Sequence, residues 1–182
     1  MIIGLTGPAR SGKDTVAKYL VEEYEFKHFD FYHDVLLAEM KSRGMEPTKD
    51  NASIIGDEIR KGKGRGVMAE LLFPKIDAED VVVTGFRSPE EVEFFRSKTA
   101  QFFLVMASAQ RDLRYERRDE RDPQDKDDFF GRDERDLRNK GMETVFMMAD
   151  YMIDNNGTME ELKERIDEIM EDVQSGEEGE AK

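Results

Sequence analysis

Met1-Ile2-Ile3-Gly4-Leu5-Thr6-Gly7-Pro8-Ala9-Arg10-Ser11-Gly12-Lys13-Asp14-Thr15 opens the chain, and its reading decides the fold. Ile2 to Thr6 reads as a short buried strand, although Gly4 weakens it. Gly7 to Lys13 fits G-x-x-x-x-G-K, and a helical pattern follows from Lys13 to about Tyr24, with Val16, Leu20 and Tyr24 on one stripe. Strand, glycine loop and helix together are the context this motif needs, which argues against a chance glycine-rich turn. Gly7 and Gly12 let the backbone curl so that N–H groups point at phosphate oxygens, and the helix start adds its positive dipole end. Lys13 reaches the terminal phosphates as a point charge. Gly7, Ala9, Arg10, Ser11, Gly12, Lys13, Asp14 and Thr15 are the candidate contacts for ATP, with GTP the less favoured choice. Asp14 stands where a Ser or Thr usually ligates magnesium. A carboxylate also holds Mg²⁺, directly or through water, and Thr15 offers a hydroxyl one place later, so Asp14 and Thr15 are the candidate metal ligands.

Working outward, strands alternate with helices. Lys27 to Tyr32 is a second strand candidate, and Val35 to Arg43 is a helix stopped by Gly44 and Pro47. Helices over 52–61 and 67–72 flank the glycine loop at 62–66. Val81-Val82-Val83 is a β-branched run suited to a central parallel strand. Ser88-Pro89-Glu90-Glu91 is a capping box that starts a helix running to about Lys98. Gln101 to Met106 is the fourth strand. Helix from Gln110 to Glu120, broken at Asp122-Pro123, and a second one from about Asp128 to Asn139 carry the arginines. On the first, Arg114 and Arg118 share one face, as do Arg117 and Arg121. Tyr151 to Asp154 is the last strand, followed by a turn at Asn155-Asn156-Gly157. A second capping box, Thr158 to Glu161, starts a helix with Leu162, Ile166, Ile169, Met170 and Val173 on its apolar stripe. Met142, Met147, Met148 and Met152 read as core filler. The pattern is an α/β protein with a parallel sheet.

The composition narrows the function. The 182 residues suit one domain with a sizeable core. Absent cysteine excludes disulfides, iron–sulfur clusters and thiolate zinc sites, and His28 and His33 alone cannot build a histidine cage. No apolar run approaches membrane-span length, so no membrane partner is expected, and the opening strand is too short for a signal peptide, which points to the cytoplasm. A net charge of -14 repels a phosphate backbone, so no nucleic-acid partner is expected either. Eight of the fifteen arginines lie between Arg111 and Arg138, a concentration suited to local phosphate handling or to a salt-bridged helical face.

From Met1 to about Val173 the chain resembles the adenylate kinase-like group of P-loop kinases. More narrowly it resembles an archaeal adenylate-kinase-related family neighbouring dephospho-CoA kinase. The resemblance is carried by Gly7 to Thr15, His33-Asp34-Val35, Arg43 to Thr48, Gly85 to Arg96, Arg132-Asp133, Ala149 to Ile153 and Asn156-Gly157-Thr158. It implies a P-loop NTPase fold with a five-stranded parallel sheet flanked by helices. It also implies a helical acceptor-binding insert at about 33–75 and an arginine-rich lid at about 110–141, within a domain over 1–173. The tail over 174–182 has nothing to bury and reads as disordered.

The resemblance further implies that Arg87 grips the phosphate of an acceptor. Its place after a central parallel strand agrees, and a surface ion pair with Glu90 or Glu91 is the other reading. Asp34 reads either as a group facing the phosphates or as the cap of the helix that starts at Val35. Arg60, Lys63 and Arg65 read as acceptor-phosphate ligands or as an exposed loop. Among the lid arginines, Arg118 and Arg132 are chosen to close on the transferring phosphoryl group. The resemblance implies that Asn156 and Gly157 offer backbone atoms to the adenine edge, and a plain helix cap by Thr158 is the other, compatible reading. The chain departs from the family at Thr84, where an aspartate usually organises the magnesium shell. The expectation is an ATP- and Mg²⁺-dependent kinase acting on a small phosphate-bearing acceptor such as a nucleoside monophosphate or dephospho-CoA. The rival is a nucleotide-binding regulatory or assembly protein that hydrolyses ATP slowly. The oligomeric state is not legible.

Overall fold

The computed structural model describes every residue except Arg121, Ala181 and Lys182, and every side chain except those of Lys49, Asp50, Ser53, Arg132, Asp133, Arg135, Asp136 and positions 138–140 and 177–180. Five strands run in parallel in the order β2-β3-β1-β4-β5. They are β1 (Ile2–Thr6), β2 (Lys27–Asp30), β3 (Val81–Thr84), β4 (Phe102–Ser108) and β5 (Tyr151–Asp154). β1 and β3 are buried at every position, as a central strand covered on both faces requires. Ile3, Leu5 and Val82 face one layer of helices, α1 (Lys13–Tyr24) and α9 (Met159–Glu180), through Val16, Leu20, Leu162, Ile166 and Met170. Ile2, Val81 and Val83 face the other layer, α4 (Val67–Leu72), α5 (Pro89–Lys98) and α8 (Met142–Met147). Gly4 is a packing requirement here. A Cβ on it would lie 2.8 Å from the Phe102 ring and 2.9 Å from Phe86, which join Phe31 and Phe95 in one aromatic cluster.

Several elements differ from the sequence reading for local reasons. β2 ends at Asp30, because Phe31–Leu36 winds into a π-helical turn that runs directly into α2 (Leu37–Ser42). Thr48 caps α3 (Lys49–Lys63), which begins earlier than 52. The helix α6 (Arg111–Glu116) stops four residues short of Glu120, and α7 (Lys126–Lys140) is capped by Asp125. Met142 is buried and Met148 packs against the core, but Met147 and Met152 are 75% and 68% exposed, so these two are not core filler. Of the stretch 174–182 read as a disordered tail, residues 174–176 continue α9, and Ala181, Lys182 and the side chains over 177–180 lie outside those described. No described helix is long and apolar enough to cross a membrane.

Candidate active site

The loop between β1 and α1 leaves the carboxyl edge of the sheet, where open parallel sheets bind ligands. Two glycines set its path. Gly7 has φ 135°, and a Cβ there would lie 2.1 Å from the carbonyl oxygen of Ala107. Gly12 has φ 102° and opens α1, and its Cβ would lie 2.0 Å from Nδ2 of Asn155. Asn155 is buried and donates Nδ2–H to the carbonyl of Ser11 at 3.0 Å, so the turn after β5 braces the loop from below. Lys13 Nζ donates to the carbonyls of Gly7 at 2.8 Å and Pro8 at 2.7 Å. Ser11 is fully buried, yet its hydroxyl has no partner among the described residues. An unsatisfied buried hydroxyl is costly, so this serine is a strained point of the loop. Asp14 is exposed and Thr15 half-buried on the first turn of α1.

The same edge holds a second polar group, which the sequence reading missed. Asp30 ends β2, in register with Thr84 of β3, which is itself in register with Leu5 of β1. Thr84 donates its hydroxyl to Asp30 Oδ2 at 2.7 Å. With its proton so committed, Thr84 accepts from His28 Nε2 at 2.9 Å, which places a proton on that nitrogen. Asp30 Oδ1 takes the N–H groups of Tyr32 and His33, capping the π-helical turn. Asp34 sits inside that turn. Its carboxylate accepts the Asp30 N–H at 2.7 Å, so the cap is Asp30 and not Asp34. The signal was an aspartate at a strand end three residues before a histidine, overlooked in favour of the one beside Val35. A carboxylate is thus present beside Thr84, on the neighbouring strand.

A family model described as an AAA domain matches residues 6–129. The UPF0200 protein of Thermococcus kodakarensis is 32% identical over 186 residues, covering 95% of this chain and 98% of its own length. That of Methanothrix thermoacetophila is 33% identical over 181 residues, covering 94% and 97%. The chain belongs to the UPF0200 family. Among solved structures, shikimate kinase from Bacteroides thetaiotaomicron superposes with a TM-score of 0.63 at 14% identity, covering 96% of this chain and 98% of that one. Shikimate kinase from Acinetobacter baumannii, in complex with shikimate, gives 0.61 at 20%, covering 96% and 93%. At these identities the likeness establishes the P-loop kinase fold.

In this UPF0200 chain Arg87 follows β3 and is exposed, with no ion-pair partner among the described residues. Glu91, expected as an alternative partner, is fully buried and engaged elsewhere. Its Oε2 accepts the N–H of Arg87 at 2.8 Å and closes the capping box at Ser88, and its Oε1 pairs with Arg60 Nη2 at 2.9 Å. Arg60 is therefore a half-buried, ion-paired side chain that fastens α3 to the start of α5. Lys63 and Arg65 are exposed.

The arginine-rich segment lies against the phosphate loop of the UPF0200 fold. Arg10 adopts φ 61°, a left-handed backbone that costs a non-glycine residue about 1–2 kcal/mol. Its side chain turns to acids of the α6–α7 connection. Nε reaches Asp122 Oδ2 at 2.5 Å and Nη2 reaches Asp119 Oδ2 at 2.6 Å. Arg114 is buried and donates Nη1 to the carbonyl of Ala9 at 2.9 Å. Because α6 ends at Glu116, Arg118 lies on the following loop and does not share a helix face with Arg114. It stacks on Tyr115, 3.8 Å from the ring, and its buried Nε, like Nη1 of Arg117, has no partner among the described residues. The expected pairing of Arg117 with Arg121 falls on Arg121, which lies outside the described residues. The side chain of Arg132 also lies outside them. Tyr115 packs against Phe129 and Phe130, giving the segment a small core of its own. Asn156 accepts the Gln110 N–H at 2.7 Å, and Gly157 is exposed before the capping box of Thr158 and Glu161. A cavity of about 560 Å³ lined by Met1, Phe73, Ile76 and Glu79 opens at the opposite edge of the sheet, remote from all of these groups.

Proposed function

We propose that this protein is an ATP-dependent kinase that transfers the γ-phosphoryl group to a small phosphate-bearing acceptor, such as a nucleoside monophosphate or dephospho-CoA. The observation that supports the reading is the pairing of two features suited to anions at one sheet edge: the glycine-set loop that opens α1, and Arg87, exposed after β3 with no ion-pair partner among the described residues. A nucleotide site alone needs only the first.

Gly7 to Thr15 hold the triphosphate, with Lys13 exchanging its loop carbonyls for phosphate oxygens. Arg87 orients the acceptor through its phosphate. Asp30, bonded to Thr84, accepts or orients the proton of the attacking group, and Asp34 braces the turn that presents it. Arg118 and Arg132 neutralise charge that builds on the transferring group. Among the described residues no three His, Asp or Glu gather as a metal cage. Mg²⁺ takes only one or two carboxylates beside water and phosphate, so Asp14 and Thr15 would hold it. A bound ion would supply charge neutralisation on the phosphates. The acceptor insert at 33–75 and the lid at 110–141 belong to this proposal, as do Asn156 and Gly157 at the adenine edge.

The test is ADP formation by purified protein against a panel of phosphorylated small molecules. Acceptor-stimulated ADP release supports the kinase. ATP hydrolysis indifferent to every acceptor supports instead a slowly hydrolysing regulatory protein.

A further inference from the structure

The left-handed turn of the phosphate loop has no glycine to hold it. Pro8 to Ser11 form a turn closed by the Ser11 N–H on the Pro8 carbonyl at 3.3 Å, and Arg10 is its third residue at φ 61°. Turns with a left-handed third residue favour glycine there. A side chain lowers the left-handed population by roughly 5- to 30-fold. A strained residue of this kind persists only where its surroundings over-determine it.

The support comes from outside the loop. The Asp122 side chain is 1% exposed and takes both Nε and Nη2 of Arg10. Asp119 takes Nη2 as well, and the adjoining carbonyl of Ala9 is fixed by Arg114. The guanidinium is held by two carboxylates at once, one of them buried, so incoming phosphate is a poor competitor for Arg10. We infer that Asp122 is a positioning residue for the phosphate loop: by gripping the Arg10 guanidinium it holds residue 10 left-handed and keeps the cradle shaped for phosphate. The Arg10 side chain then serves the nucleotide through the backbone it fixes and not as a phosphate ligand. This rests on reading Gly7 to Thr15 as the nucleotide site.

Glycine at position 10 supplies the left-handed backbone without a tether, and that separates positioning from mere stability of the α6–α7 segment. The full-length protein, Asp122→Ala and the double variant Arg10→Gly/Asp122→Ala are compared for ATP affinity by calorimetry, at a temperature where all three are folded by circular dichroism. Asp122→Ala should weaken ATP binding by about tenfold, within the range set by the lost conformer. The double variant should recover most of that loss. Tighter binding by Asp122→Ala would mean that the acids restrain an arginine meant for phosphate, and overturns the inference. So does a double variant as weak as the single one. The ¹³Cα and ¹³Cβ shifts of residue 10, measured without ligand, report the conformation directly. They should be left-handed in the parent and move toward right-handed values in Asp122→Ala. If the parent binds no ATP, the nucleotide reading fails, and these shifts still decide whether Asp122 sets the turn.

Discussion

Lys13 Nζ rests on the carbonyls of Gly7 and Pro8, a position from which only a stronger anionic acceptor draws it. Lys13→Ala should therefore abolish ATP turnover while leaving the fold intact, since the lysine is half-buried and its partners are loop carbonyls. Calorimetric titration and circular dichroism on the variant check both halves; undiminished ATP binding would sink the nucleotide site. Arg87 is the proposed grip on the acceptor. A charge-assisted contact to phosphate is worth about 2–5 kcal/mol on truncation, so Arg87→Ala should weaken acceptor binding by at least tens of fold and spare ATP. Arg87→Lys should restore little, because lysine lacks the two-pronged fork. Paired titrations with an ATP analogue and the acceptor decide it; a loss confined to ATP would show the two sites interchanged. The places of both residues were legible in the sequence, because they follow from motif spacing and from a position after a strand. Asp30 and Asn155 were not. Each acts through a bond to a residue more than 50 positions away, Thr84 and Ser11.

Glu91 joins two elements. Its carboxylate caps α5 and pairs with Arg60 of α3, and it is fully buried. Removing one partner of such a pair strands the other charge, at about 3–5 kcal/mol. Glu91→Ala should lower the melting temperature by roughly 10 °C in a chain of this size, as read by calorimetry. A drop of only a degree or two would mean that the pair contributes little. The last helix is tied differently, through tyrosines. Tyr151 of β5 donates to Asp172 of α9, and that bond, with burial, pushes its hydroxyl from an ordinary value of 10 up to about 12. The fold thus favours the neutral phenol. The contribution is complete below about pH 10 and is lost as pH rises through 12. Tyr24, pushed higher still by burial and by Asp167, extends the same alkaline limb. Melting temperature followed from pH 9 to 12 should fall more gently for Tyr151→Phe than for the parent. Equal slopes would remove Tyr151 as a cause.

At the scale of the whole molecule, the segment over 110–139 lies on the phosphate loop through Arg10 and Arg114 and carries its own aromatic core. It should respond to ligands as one body. Hydrogen exchange across it should slow when an ATP analogue and acceptor are added, because the proposal has its arginines close on the phosphates. Exchange unchanged by ligand would count against its role as a lid. The sequence alone determined the parallel α/β class, the phosphate loop and several element limits: α1, α4, α5 and β5 lie where spacing and capping residues put them. Those signals are local, since a cap bonds three residues away and an apolar stripe repeats every three or four. Only the tertiary structure decided that α6 ends at Glu116 and that Gly4 clears space for two rings. It alone decided that Asp30 and not Asp34 is the cap, and that Arg10 faces Asp119 and Asp122 and not solvent. Each depends on which distant groups meet across the sheet edge, and an ion pair spanning 112 residues leaves no periodicity in the chain to read.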